Sequence, residues 1–383
     1  MERTVTTRRN ILEWLSAGGA ASAIGACAGT PAVDPAAAWR NPGADEADPR
    51  RWVLAHAILA PNPHNRQPWL VDLPGTDEIA FYVDRSRLLP ATDPPNRQIT
   101  VGCGAFLELL DLAARQRGLR ADMALWPEGE PQPVLDDRPI ARVKLVPDPS
   151  VQPDPLFAQI LKRHTNREPY DLKAPPKAEA LARIIAAAAA PLTAGSVSEE
   201  ALRLKLVEIG RKGFMLEART PATGLESVRL MRIGAAEIAR HRDGISLDGP
   251  FFEVMGATGL VSRKTLADPN GFGTKSGLEA VGKVIVDTPA FLWLKGPDNT
   301  RVTQIASGRA YARMQLTATA EGLSIQPWSM TLQEFPEMAT LYRDTQGLLG
   351  ATPAAPLQML VRVGHAKAVG PAPRRGLAEH IRA

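Results

Sequence analysis

Apolar residues along the chain fall into runs of helical spacing, strand-like alternation and short blocks bracketed by Gly and Pro, and these divide it into elements. Residues 52–59 form an apolar helical run that stops where prolines begin. Residues 70–73 and 79–83 flank Pro74-Gly75-Thr76-Asp77 and predict a hairpin. Residues 98–117 carry Val101, Phe106, Leu109, Leu110, Leu112 and Ala113 at helical spacing and end at Gly118. Residues 140–146 alternate apolar and basic positions, as a half-buried strand does. The pattern restarts at Asp154 and predicts helices over 176–190, 199–217, 225–242 and 303–321, with strands over 290–295 and 357–363. Between 243 and 282 it breaks into Gly, Pro, Asn and Ser with scattered apolar residues such as Phe251 and Phe252, which predicts a long loop acting as a cover.

The first unit, 49–150, thus reads helix, loop, hairpin, helix, strand, and a second unit occupies 151–383 with its lid at 243–282. Residues 34–48, rich in Ala, Pro, Asp and Gly, read as a flexible tether. Ahead of them, Arg8-Arg9 precede a weakly apolar stretch, and residues 1–33 resemble a twin-arginine export signal. Ile24-Gly25-Ala26-Cys27 looks like a lipobox, which makes Cys27 a candidate lipid anchor; a cleaved soluble signal is the other reading. Either way the expected location is the periplasm or outer cell surface.

Composition narrows the classes. The chain has 383 residues, 44% of them hydrophobic, enough for a large core. A net charge of +4 is spread among 41 acidic residues and only 5% of the chain is aromatic, so no basic stripe with stacking residues points to nucleic acid. Of two cysteines, Cys103 lies between two glycines in a predicted helix and reads as a small buried residue. The six histidines show no metal spacing, and no Walker loop, Gly-x-Ser-x-Gly or dinucleotide Gly-x-Gly-x-x-Gly occurs. His64 and His164 read as structural hydrogen-bonding partners.

Two stretches carry candidate chemistry. Residues 60–69, Ala-Pro-Asn-Pro-His-Asn-Arg-Gln-Pro-Trp, set amide and imidazole groups among three prolines beside Trp69, a composition suited to a flat hydrogen-bonding ligand or to an ordinary helix end. Arg163-His164-Thr165-Asn166-Arg167 spaces two arginines four apart, which would aim two guanidinium forks at one anion or form a solvated helix face.

The first stretch resembles the Ala-Pro-Ser-x-x-Asn-x-Gln-Pro-Trp loop of the FMN-dependent nitroreductase family, and Arg163-x-Thr165-x-Arg167 is similar to its Arg-x-Ser-x-Lys/Arg motif. The reversed order of the two motifs resembles the exported, two-unit Acg-like branch. The resemblance implies an α+β, nitroreductase-like fold in which two fused units form an intramolecular pseudo-dimer, with one FMN per chain and no further copy required. It makes Arg163 and Thr165 phosphate or ribityl ligands and puts Arg167 near the pyrimidine end of the ring. Pro61, Asn62, Asn65 and Gln67 would reach the same flavin from the other unit, with Asn62 where the family has Ser. The segment Pro327, Trp328, Ser329 and Met330 falls where backbone N–H groups would meet the N5 edge, and Arg374 or Arg375 would complete the anion site. The implied activity is two-electron reduction of a flat acceptor, nitroaromatic or quinone, by an unidentified donor; a flavin-sequestering protein with a lid is the alternative.

Overall fold

A computed structural model describes residues 33–382; the signal and Cys27 lie outside them. Helix α1 (Pro49–Ala57) starts where sequence signals place it, with Pro49 in its first turn and the Asp48 carboxylate accepting the Arg50 backbone N–H at 2.8 Å. Strands β1 (Trp69–Asp72) and β2 (Glu78–Val83) form the expected hairpin, with Trp69 opposite Val83. Helix α2 (Arg97–Gln116) is almost wholly buried and ends before Gly118, whose φ of +65° suits glycine. Strands β3 (Leu119–Leu125) and β4 (Ala141–Pro147) complete an antiparallel sheet of order β1-β2-β4-β3. Strand β3 escapes the sequence pattern because it is a sheet edge with no fully buried residue, carrying Arg120 and Asp122 outward.

The second half contains α3 (Ala178–Ala186), β5 (Thr193–Val197), α4 (Glu200–Arg219), α5 (Pro221–Leu230), β6 (Met231–Ile233), α6 (Ala235–His241), β7 (Ile245–Leu247), α7 (Pro250–Ala257), α8 (Arg263–Leu266) and α9 (Phe272–Val286). It continues through β8 (Ala290–Lys295), α10 (Arg301–Ala320), β9 (Ser324–Pro327), α11 (Ala339–Leu348) and β10 (Leu357–Gly364). Its main sheet has the order β5-β8-β10-β9 and is also antiparallel. The chain is therefore α+β, with two four-stranded sheets joined by a central helix pair.

That pair is α2 and α10, which touch backbone to backbone. A Cβ on Gly104 would lie 2.1 Å from the Ile305 carbonyl oxygen, and one on Gly308 would lie 1.9 Å from that of Val101. Beside this crossing, the buried Glu108 of α2 takes hydrogen bonds from Arg309 and Arg313 of α10, each at 2.8 Å. Cys103 is buried in the same helix, as expected, and burial pushes its thiol up.

Three sequence expectations are corrected. Residues 34–48 do not form a free tether: Trp39 is buried in the first core and its indole donates to the Ala372 carbonyl at 2.8 Å. The predicted helix over 225–242 is broken by β6, which pairs in parallel with β7, and Gly234 with a φ of +79° turns the chain into α6. The predicted loop over 243–282 is helical. Its Gly and Pro residues serve as helix starts, with Gly249 before Pro250 at α7 and Ser262 making a capping box at α8.

Candidate functional site

Four separate parts of the chain converge at the C-terminal end of α1. The loop that leaves this helix is held tight, with His64, Asn65 and Gln67 all near φ +50°. Gly102 of α2 admits it, since a Cβ there would come within 3.3 Å of Asn62 and Pro63. The loop's amides are occupied internally. Asn62 Oδ1 accepts the Gln67 backbone N–H at 2.7 Å, and its Nδ2 donates to the Ala60 carbonyl. The buried Gln67 accepts from the Arg375 backbone N–H at 2.9 Å and donates to the Arg242 carbonyl at 2.8 Å. Asn65 donates to the Pro373 carbonyl at 3.0 Å and accepts from Arg374. Asn62, Asn65 and Gln67, expected from sequence to contact the flavin, use these side-chain groups to knot the loop to itself and to the C-terminal segment. Pro61 is buried behind it.

Arg374 is the centre of that knot. Its guanidinium donates to the carbonyls of Ile58, Leu59, Ala60 and Pro373 and to Asn65 Oδ1, which accounts for all five of its N–H groups. Such a cation at the exposed carbonyls of a helix end is favoured by the helix dipole. Arg375 turns the other way, donating to the Gln67 carbonyl at 2.9 Å and lying 3.0 Å from His380 Nδ1.

Arg163 meets Arg374 from the second half. The segment 163–167 is not a helix, contrary to one reading of the spacing; Thr165 instead bridges Ile325 of β9. Arg163 is 2% exposed, donates to the Leu59 carbonyl at 3.1 Å and to Gln315 Oε1 at 3.2 Å, and has no partner for its Nε–H. No carboxylate acts on either guanidinium among the described residues. Burial pushes Arg163 down to about 10; burial and then repulsion from Arg163 push Arg374 down to about 9. Burial followed by these two cations holds His164 at about 4, so its ring is neutral. The Trp39 ring backs the cluster, its centroid 5.5 Å from Arg163 and 5.3 Å from Arg374. Arg167 is exposed, and desolvation by the surrounding protein pushes its guanidinium down.

Pro327–Met330 do not all stand ready for a ligand. Trp328 is fully buried, its backbone N–H donates to the Leu360 carbonyl at 2.7 Å and its indole to that of Leu206, so its expected role at a cofactor edge is corrected to core packing. Ser329 and Met330 follow as a half-buried 3-10 turn. His64 is structural in its contacts, 3.3 Å from Ser227 Oγ. Trp39 and Gln315 were not singled out from sequence. A lone Trp in an Ala- and Pro-rich stretch was the available signal for the first; Gln315, inside a long helical pattern, offered none. No cluster of potential metal ligands occurs among the described residues.

Two buried guanidinium groups, Arg163 and Arg374, thus lie without a carboxylate partner beside the knotted loop. Such a pair suits the anionic end of a small molecule. No family model matches the chain. It is 28% identical over 353 residues, 88% of this chain and 92% of the relative, to "Putative NAD(P)H nitroreductase Rv3131" of Mycobacterium tuberculosis. The protein of the same organism named acg, also described as an NAD(P)H nitroreductase, is 35% identical over 71 residues, 18% of this chain and 21% of that protein. Among solved structures, the FMN-dependent nitroreductase NfnB of Mycobacterium smegmatis with NADPH is 19% identical, with 59% of this chain and 96% of that one covered and a TM-score of 0.36. The similarity to the mycobacterial protein named as an NAD(P)H nitroreductase thus runs nearly the whole length of both chains.

Proposed function

We propose that the protein is an FMN-dependent oxidoreductase that reduces a flat acceptor of nitroaromatic or quinone type. The observation that carries this is the pair of buried guanidinium groups, Arg163 and Arg374, left without a carboxylate in a chain related along its length to a protein named for NAD(P)H nitroreductase activity. The orphaned Nε–H of Arg163 fits a phosphate, which would supply the missing negative charge.

Bound FMN would supply two-electron, hydride-type chemistry at its ring. The chain's own residues do the rest. Arg163 would bind the anionic end with Thr165, and Arg167 would lie near the pyrimidine end of the ring, where a cation favours the reduced form. Arg374 orients Arg163's acceptor, since both donate to the Leu59 carbonyl. His164, neutral near pH 7, carries no imidazolium proton to donate. In this reading the two sheet-bearing halves act as a fused pair with one cofactor between them, and residues 1–33 export the protein by the twin-arginine route, with Cys27 as a candidate lipid anchor.

Purified protein should be yellow with an FMN spectrum, and the colour should bleach anaerobically with NADPH, NADH or another donor followed by return on adding a quinone. Colourless protein that does not take up added FMN overturns the cofactor. A yellow protein that resists even dithionite favours flavin sequestration instead.

A further inference from the structure

The central helix α10 carries a phenol with no partner. Tyr311 is 4% exposed, and its hydroxyl makes no hydrogen bond within the protein. A buried hydroxyl left unpaired costs about 1–3 kcal/mol, so the position calls for an explanation. Tyr311 stands one helical turn before Gln315 and shares its face. Gln315 accepts from Arg163 Nη1 at 3.2 Å and lies 3.5 Å from Thr165 Oγ1. Both Arg163 and Arg167 act electrostatically on the Tyr311 hydroxyl. Two further orphaned polar atoms belong to the same neighbourhood, Arg163 Nε and His164 Nδ1. The common deficit is acceptors: a phenol and a guanidinium both have protons to donate and no oxygen to receive them.

We infer that Tyr311 is a cofactor ligand, its hydroxyl donating to an oxygen of the bound FMN beside the group held by Arg163. This rests on the flavin reading above and extends it to a helix that the sequence motifs do not touch. A phenol at this place adds a directional donor where the two arginines supply charge. It also explains why an aromatic hydroxyl, and not Phe, sits in a core cluster otherwise made of apolar residues such as Val101, Met314 and Ile325.

The test uses the full chain, wild type and Tyr311→Phe. Apoprotein is titrated with FMN by quenching of flavin fluorescence, and the melting temperature is recorded with and without FMN. The expected result is an affinity weaker by roughly ten-fold or more, the scale of one hydrogen bond to a charged or polar acceptor, with an apoprotein melting temperature unchanged or raised. A fall in the apoprotein's melting temperature with unchanged FMN affinity would show a structural hydroxyl and overturn the inference. Wild-type apoprotein that binds no FMN overturns the flavin reading itself, a result separable from the variant's behaviour.

Discussion

Arg163 and Arg374 are alike in burial and charge, and their hydrogen bonds separate their roles. Arg374 has every N–H engaged by protein acceptors, four of them backbone carbonyls, whereas Arg163 retains an unpaired Nε–H. Arg374→Ala should therefore act on the fold, removing on the order of 3 kcal/mol by leaving buried acceptors unpaired, visible as a lower denaturant midpoint in the apoprotein. Arg163→Ala should leave the circular dichroism spectrum and that midpoint nearly unchanged while abolishing retained FMN. Equal loss of stability in both variants would remove the distinction. From sequence the two arginines were equivalent candidates for an anion, because residue type and spacing report charge and say nothing about which donors neighbouring carbonyls will occupy. The same limit applies to Asn62, Asn65 and Gln67, whose amides look ligand-ready in a loop and are folded inward once the backbone takes left-handed turns.

At the scale of elements, the α2–α10 crossing sets how closely the two halves approach. Gly104 and Gly308 leave no room for a methyl group on either side. Gly104→Ala should force the helices apart and cost about 2 kcal/mol, in the range for overpacking a tight core, measured as a lowered melting temperature with the helical spectrum retained. A neutral result would mean that the crossing relaxes freely. Both long helices were legible from apolar spacing, as were the hairpin, α1 and the buried strands β8 and β10, since each has a full face or a full run in the core. The elements that escaped are marginal or interrupted. Strand β3 lies half-exposed at an edge, β6 is three residues long, and the helices between 249 and 286 begin at the same Gly and Pro residues that suggested a loop. In these places short-range punctuation is real but ambiguous, and packing decides between a break and a cap.

Across the whole molecule, the first and last described stretches of chain meet at the site. The Arg374 backbone N–H donates to the Pro35 carbonyl at 2.9 Å, and Trp39 places its ring against both arginines while bonding Ala372. Trp39→Leu keeps apolar bulk and removes the ring's negative face, so FMN should bind several-fold more weakly, with Trp39→Phe recovering most of the loss; a cation over an aromatic face is worth about 1 kcal/mol or more when desolvated. Identical affinities for Leu and Phe variants, read by flavin fluorescence, would reduce the role of Trp39 to filling space. The C-terminal segment crosses in the same way onto the first sheet, where Arg382 donates to the Val71 carbonyl at 2.9 Å. A boundary near residue 150 therefore describes the order of motifs better than the packing, in which each half borrows its finishing pieces from the other end of the chain.

Arg374 holds the loop at residues 58–67, yet it follows that loop by some three hundred positions. A nascent chain that has already formed α1, the hairpin and α2 still lacks the side chain that ties the exit of α1 in place, and Arg163 has its Leu59 acceptor in position only once that tie is made. The pair thus comes into being late, and any molecule it takes up must be captured only after translation has passed Arg374.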